Sequence, residues 1–306
     1  MITERDISVL LALARYFVLN RVQLQRLSFP SDKNGRVTRK RLRELLRDKF
    51  INRQPVTLHD MDTGTSATVY YPARRGIEYL AERFDDDRFL QVSTQAPQPY
   101  HVPHCLAVAA THITIDEAIA RQQTVKLECW INEWDTLNGD EQAPEKRYRL
   151  YTLLRESPRL VCAPDAAFML SLGTHRKVFY LEQDMNTSGV RRIAASKTRG
   201  YAEMATRQLH RRHFPDSTIP TFIVLMVAPN PVRRDRLRKA IRTMPGAELW
   251  RFVSTTDLTA ANFLHAPIIY RCDGGPASIV KPDHKPESDT RSIAEPAAQT
   301  AIDSAS

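Results

Sequence analysis

Pro164-Asp165-Ala166-Ala167-Phe168-Met169-Leu170-Ser171-Leu172-Gly173-Thr174-His175-Arg176-Lys177-Val178-Phe179-Tyr180-Leu181-Glu182-Gln183-Asp184 reads as two short apolar runs around a turn. Ala166 to Leu170 and Val178 to Leu181 are rich in strand formers. Gly173-Thr174-His175-Arg176 joins them, so the stretch predicts a β-hairpin. Asp165 opens the first run, and Glu182 and Asp184 close the second. Residues two apart on a strand face the same side, so Glu182 and Asp184 project together while Phe179 and Leu181 take the other face. Antiparallel pairing then sets Asp165 beside Glu182 and Asp184. Three hard oxygen donors in one cleft are a set that binds Mg²⁺ or Mn²⁺. Such an ion activates a water and stabilises charge on a scissile phosphate. Lys197 reads as the start of the following helix, with Tyr201 one turn on, and is placed to neutralise that charge. Acidic residues at strand ends are also ordinary turn and cap residues, and spacing alone does not separate the two readings.

Around this hairpin the chain alternates helix and strand. The patterning predicts a helix over about 104–121 and strands near 125–131, 159–163, 166–171 and 177–183. A helix over 196–212, a strand over 220–228, a helix over 232–243 and a strand over 248–253 follow. Such mixing predicts an α/β (α+β) domain over 104–275, a mixed central sheet covered by helices. Residues 91–103, with Gln95-Ala96-Pro97-Gln98-Pro99, read as a linker whose polar character begins at Asp85. Residues 276–306 read as a disordered tail, with little to bury after about Lys281.

Residues 1–90 predict a unit of a different kind. Thr3-x-x-Asp6 is a capping-box pattern before Ile7, Leu10, Leu11, Ala14 and Phe17, which share one helical face. A short helix from Val22 to Leu27 and a third from about Arg36 to Phe50 follow. Extended pieces at 53–58 and 67–71 flank the turn sequence Asp60-Met61-Asp62-Thr63-Gly64, and 74–84 reads as a helix. Three helices, a hairpin and a helix is the order of a winged helix-turn-helix. On the third helix Arg36, Arg39, Lys40, Arg43 and Arg47 fall in one sector, and Leu42, Leu45 and Leu46 point elsewhere, into a core. An apolar back with a guanidinium-rich front suits the major groove, with Arg53 or His59 of the hairpin reaching the DNA backbone. A charge run is also the ordinary solvated face of a helix. Its place as third helix before a hairpin favours nucleic acid. Two further basic runs, Arg233 to Arg242 and Arg207 to His213, read equally as DNA tracks or as exposed faces.

Composition sets the outer bounds. The 306 residues carry a formal net charge of +9, which suits a polyanionic partner. The four cysteines (Cys105, Cys129, Cys162 and Cys272) form no CxxC pair, so buried free thiols are expected rather than a zinc site or a disulfide framework. The first residues lack an apolar signal core, and no apolar run approaches the roughly 18–20 residues that span a bilayer. The cytoplasm is the expected location, with no membrane partner.

The Pro-Asp before a hairpin and the Glu-x-Asp at its far end resemble the PD-(D/E)XK nuclease fold. From residue 3 to about 255 the chain resembles the replication-relaxation family, which overlaps the MobC-type relaxases of mobile plasmids. The resemblance runs through the helix-rich N-terminus, His104-x-Leu106-x-Val108, Trp130-Ile131-Asn132-Glu133, Pro164-Asp165-Ala166, Leu181-Glu182-Gln183-Asp184 and Lys197-x-x-x-Tyr201. It implies a winged helix-turn-helix DNA-binding domain joined to a restriction-endonuclease-like α/β domain. It further implies a role in replication or mobilisation of a plasmid or integrative element, with nicking of origin DNA. One position departs: the nuclease pattern places a lysine two residues after its glutamate, where this chain has Asp184. Lys197 then stands either as a migrated replacement or as an ordinary helix-start lysine. In the second case the domain is a catalytically inactive DNA-binding scaffold, an accessory factor or a transcriptional regulator. Glu133 is a candidate further metal ligand, and His104 either approaches the site or simply sits at a helix start. No tyrosine stands out as a covalent nucleophile, and Tyr70-Tyr71 belong to the hairpin. The expected partners are double-stranded DNA and other mobilisation or replication proteins; oligomeric state is not legible.

Overall fold

Thr3 and Asp6 close the expected capping box: the Thr3 amide donates to Asp6 Oδ2 at 2.7 Å, and the Asp6 amide donates to Thr3 Oγ1 at 3.4 Å. They start helix α1 (Glu4–Tyr16) in the computed structural model, which describes residues 2–57 and 66–280. The turn Asp60 to Gly64, His59 and residues 281–306 lie outside the described residues. Strand β1 (Leu19–Asn20) and helices α2 (Arg21–Ser28) and α3 (Arg36–Arg47) come next, then strands β2 (Ile51–Thr57) and β3 (Ser66–Pro72) and helix α4 (Arg74–Phe84). β2 and β3 pair antiparallel from Ile51–Pro72 to Thr57–Ser66, and β1, which the patterning did not predict, adds to β3. Asp32 holds the entry to α3, accepting from both the amide and the hydroxyl of Thr38 at 2.7 Å. Gly35, just before α3, has φ +68, and a Cβ there would lie 2.6 Å from an Arg21 guanidinium nitrogen. Leu13, Leu24, Leu42, Leu45, Ile77 and Leu80 form the core of this unit.

Helix α5 (Val102–Ala120) starts two residues inside the expected linker. Strand β4 (Val125–Asn132), the short helix α6 (Pro144–Arg147) and strands β5 (Thr152–Arg155) and β6 (Leu160–Cys162) follow it. The quoted stretch forms strands β7 (Ala166–Leu172) and β8 (His175–Gln183). Helices α7 (Val190–Thr206) and α8 (His210–His213), strand β9 (Ile223–Ala228), helix α9 (Pro231–Ile241) and strands β10 (Trp250–Ser254), β11 (Ile269–Arg271) and β12 (Pro276–Ala277) complete the order. The main sheet runs β12-β11-β10-β9-β8-β7-β4. β7 is antiparallel to both of its neighbours, β4 and β8, β9 is parallel to β8, and β10 is parallel to β9. The described protein is therefore mixed α/β, with a mixed seven-stranded sheet.

The two faces of β8 pack as its alternation requires. Val178 and Tyr180 meet Ala194, Tyr201 and Met204 of α7 and Leu237 and Ile241 of α9. Phe179 and Leu181 belong with Val108, Ile115 and Ala118 of α5.

Several expectations change. α7 begins at Val190, capped by Gly189, because Val190 and Ile193 already find apolar partners; Lys197 thus lies in the third turn and not at the helix start. The predicted continuation to 212 breaks at Gln208, whose φ is +50. β6 pairs with β5 in a separate two-stranded sheet. Residues 276–280, expected in the tail, belong to the fold: β12 pairs with β11 and the Val280 amide donates to the Leu264 carbonyl at 2.9 Å. Cys105 and Cys162 are buried, but Cys129 is exposed and Cys272 half-buried. Among the described residues no helix is long and apolar enough to cross a membrane.

α5 joins the two halves of the chain through its interior. Val102, Cys105 and Leu106 pack on Phe17, Val18, Val56 and Val69, and Ala109 and Ile113 enter the core under α1. Asp116 accepts from Arg15 at 2.7 and 2.6 Å and from the Tyr16 hydroxyl at 2.6 Å. His112 stacks flat on Trp130, with ring centroids 3.7 Å apart, and meets the edge of Tyr16 at 4.8 Å.

Burial pushes the His112 imidazole from 6.5 down to about 3, against the pull of the nearby Asp116 carboxylate. The unfolded chain therefore takes up a proton below pH 6.5 that the folded chain refuses until about pH 3. The contribution of His112 to stability is full above 6.5 and is lost as pH falls. His112→Phe, which keeps an aromatic ring on Trp130, is expected to lose less stability than wild type between about pH 6.5 and pH 4 in urea titrations. Parallel losses in the two proteins would refute the assignment.

Candidate active site

β8 is hydrogen-bonded on both sides and buried from Val178 to Gln183, and the Asp184 amide still donates to Val227 O at 2.9 Å. The strand thus carries Glu182, Gln183 and Asp184 into the interior, and each is met by a different helix. Glu182 Oε1 accepts from the Tyr201 hydroxyl of α7 at 2.6 Å, and Oε2 pairs with Lys197 Nζ at 2.8 Å. Gln183 Oε1 accepts from Thr111 of α5 at 2.8 Å. Asp184 takes a two-point pair from Arg233 of α9, at 2.6 and 3.0 Å. Across the hairpin, Asp165 sits one residue before β7. Its amide donates to Leu181 O at 3.1 Å, and its Oδ2 accepts from the Gln183 amide at 2.6 Å. Lys197 Nζ also donates to Ala163 O at 3.1 Å.

A cleft of about 170 Å³ opens over these groups, lined among others by His104, Asp165, Glu182, Asp184 and Lys197. Burial, with repulsion from Asp165, pushes the Glu182 carboxyl up to about 7 despite Lys197 and Tyr201 beside it. Burial also acts to raise Asp165, but Lys197, His104 and the Gln183 amide outweigh it and hold the carboxyl below its ordinary value. For Lys197 burial opposes the charge, and the attraction of Glu182 and Asp165 outweighs it, so the ammonium is held above its ordinary value. Burial, then Glu182, drive the Tyr201 phenol well above its usual range. Tyr201 is a donor to Glu182 and not an activated nucleophile.

Asp165, Glu182 and Lys197 are thus brought together. Asp184 projects on the face of Glu182, and both of its oxygens are taken by Arg233 in a two-point ion pair. The physical reason is burial: a carboxylate whose side chain is 3% exposed needs an opposite charge, and α9 delivers one. Among the described residues, Asp165, Glu182 and Asp184 do not form a group whose donor atoms all lie within 4.8 Å. The group that does is His101, His104 and Glu133. Sequence reasoning missed His101, although His101-x-x-His104 is legible spacing, and it missed Arg233, whose partner only the fold supplies.

The basic surfaces separate in the same way. Arg36, Arg39, Lys40, Arg43 and Arg47 on α3 and Arg53 on β2 are all exposed. Arg47 pairs with Asp48 at 2.8 Å; among the described residues no carboxylate lies within ion-pair distance of Arg36, Arg39, Lys40 or Arg43. Thr38, Leu42 and Leu45 form the buried back, with Leu46 half-buried, and Arg41 turns inward to the fully buried Asp6. By contrast Arg233 and Arg234 are buried: Arg234 pairs with Asp235 and Asp257 and covers the Tyr270 ring at 3.9 Å. In the Arg207 to His213 run His210 is buried, and His213 meets the Tyr180 hydroxyl at 2.8 Å.

Removing Arg233 leaves Asp184 buried without a partner, and Arg233→Ala is expected to cost about 3–5 kcal/mol in chemical denaturation. Replacing both residues with leucine should recover most of that loss. A cost below about 1 kcal/mol for Arg233→Ala would show that the pair does not carry this load.

No curated protein and no solved structure matches the chain. A family model described as replication-relaxation matches residues 10–220, from within α1 to the approach of β9, and so takes in α3, the hairpin, Glu182 and Lys197. That span is more than half of the 306 residues, and the chain belongs to the replication-relaxation family.

Proposed function

We propose that this protein binds double-stranded DNA of a plasmid or integrative element through α3 and nicks it in the Asp165–Glu182–Lys197 cleft. It would act in replication or mobilisation, in the cytoplasm and with other proteins of the element, as a MobC-type relaxase does. Membership of the replication-relaxation family supports the setting. The core order α5-β4-β7-β8-α7-β9 supports a restriction-endonuclease-like reading: Asp165 precedes its second strand, Glu182 lies at the end of its third, and Lys197 comes from the helix between third and fourth. Three helices before the β2–β3 hairpin, with β1 between the first two completing a three-stranded sheet, support the winged-helix reading.

The observation that carries the proposal is Lys197. Position 184 lacks the strand lysine of the nuclease pattern, yet the ammonium of Lys197 reaches Glu182 at 2.8 Å from α7, with its side chain a third exposed to the cleft. Of the three carboxylates lining that cleft Asp184 is paired with Arg233, and burial makes the Glu182 charge costly in a way that a divalent cation offsets. The donor set fits Mg²⁺ or Mn²⁺, which Asp165 and Glu182 would hold and which, when bound, supplies a Lewis acid and an activated water. Tyr201 fixes the orientation of Glu182, and the Gln183 amide fixes that of Asp165. Lys197 is the cation placed to meet a phosphate oxygen as charge develops. On α3, the four cations without carboxylate partners meet the phosphate backbone and base edges.

Supercoiled plasmid carrying the element's own origin, incubated with protein and Mg²⁺ or Mn²⁺, is expected to become open circles. Glu182→Ala and Lys197→Ala should slow this by about 100-fold or more while leaving DNA binding intact. Tight, specific binding by wild type with no nicking would sink the enzymatic reading and leave a DNA-binding accessory factor or regulator. For the binding surface, Arg39→Ala and Arg43→Ala are each expected to weaken binding across sequences. Each should also reduce the salt slope of log K by about 0.9 for every phosphate contact removed. An unchanged slope would move the interface away from α3.

A further inference from the structure

His101 and His104 stand at the start of α5, His101 as its N-terminal cap and His104 in its first turn, with Pro103 between them. Their rings lie 4.9 Å apart between centroids, inclined by 34°. Glu133, one residue past β4, is held there by its amide, which donates to Asp165 O at 3.2 Å. Glu133 Oε1 lies 2.6 Å from His101 Nε2 and 3.9 Å from His104 Nε2. His104 Nε2 also faces Asp165 Oδ1 at 3.6 Å. The two His104 distances exceed a hydrogen bond. They are close to the spacing of neighbouring ligands on one ion: donors about 2.0–2.1 Å from a tetrahedral Zn²⁺ sit about 3.3–3.4 Å apart.

We propose that His101, His104 and Glu133, with Asp165 as fourth donor, form a binding site for a divalent transition-metal cation of the Zn²⁺ class. Two imidazoles and two carboxylates suit such an ion and disfavour Mg²⁺, which prefers oxygen ligands. This separates the site from the Asp165–Glu182 cleft, with which it shares one carboxylate. His101, His104 and Glu133 already offer donor atoms within 4.8 Å of one another, and Asp165 completes the four ligands by turning toward them. Two come from one helical turn, and the other two come from the ends of neighbouring antiparallel strands. Asp165 Oδ2 is already engaged by the Gln183 amide at 2.6 Å, which leaves Oδ1 for the ion. The His101–Glu133 pair has to open by less than about 1 Å, and Asp165 Oδ1 has to close on the other donors, to reach ligand spacing. All four side chains are partly buried, between 14% and 37% exposed, so the ion would be shielded yet reachable. His104 and Asp165 also line the cleft, so the ion would add positive charge to the wall of a phosphate-sized space. The site does not require that the protein nick DNA.

The test uses the full chain, stripped with a chelator and titrated with Co²⁺ while its visible ligand-field bands are recorded, then with Zn²⁺ as competitor. One Co²⁺ per chain is expected, displaced by Zn²⁺ and not by a large excess of Mg²⁺. The variant carrying His101→Gln and His104→Gln should lose at least tenfold in affinity, and Zn²⁺ should raise the melting temperature of wild type but not of that variant. Thermal melts without metal check that the variant folds, and Glu133→Gln supplies an independent second test with the same expected loss. Absence of saturable binding by wild type overturns the proposal, as does retention of full affinity in the double variant. Loss of Co²⁺ binding in Glu182→Ala also overturns it, by moving the ion to the neighbouring cleft; a wild type that binds Co²⁺ but does not nick leaves it standing.

Discussion

Glu182, Gln183 and Asp184 continue the interior strand β8 past its apolar part without leaving the interior, and three helices of the second half of the chain are arranged around satisfying them. Burial of Val178, Phe179, Tyr180 and Leu181 stabilises the fold by about 1.5–3 kcal/mol for each side chain. An unpaired buried carboxylate costs about 3–5 kcal/mol, so two of them would cancel most of that gain. The fold places one helix against each polar group: α7 brings Lys197 and Tyr201 to Glu182, α5 brings Thr111 to Gln183, and α9 brings Arg233 to Asp184. The polar end of β8 therefore positions three helices at once. The cleft opens over this end of β8, lined by residues of α5 and α7 and of the segment 184–188.

This constraint divides the work among residues that look alike in sequence. Glu182 and Asp184 share a face of one strand, but one meets a lysine at the cleft and the other an arginine in the core. A lysine a third exposed can follow a phosphate; a buried, two-point arginine pair cannot turn away without stranding its partner. Asp184 thus reads as the anchor of α9. Lys197, from the third turn of α7, is the cation that pairs with Glu182.

α5 gives the molecule its second organising feature. Different faces of this one helix belong to the core under α1, to the cluster around Phe17 and Val18, and to the main sheet. The stacked Trp130–His112 pair and the Arg15–Asp116 pair add polar and aromatic contacts along it. The same helix is capped by His101 and sets His104 beside Asp165. The element that ties the α3-bearing half to the sheet therefore also lines the cleft.

Local pattern by itself determined a good deal. The alternation of Val178 to Leu181, the turn at Gly173, the capping box at Thr3 and the arginine stripe on α3 each follow from period and turn chemistry within a few residues, and they stand close to where they were expected. The sequence also determined that Asp165 and Glu182 would meet, because a hairpin has one register that keeps its apolar faces buried. Tertiary structure decided what no local window contains. α7 starts six residues early because Val190 and Ile193 find apolar partners in the core. Arg233 and Arg234 leave the expected exposed run because a distant Asp184 and the Tyr270 ring await them. His101 and Glu133 meet only because α5 packs across the end of β4. The arginine and histidine pairings depend on partners about 30 to 50 residues away, whose free energy of burial or pairing outweighs the local preference.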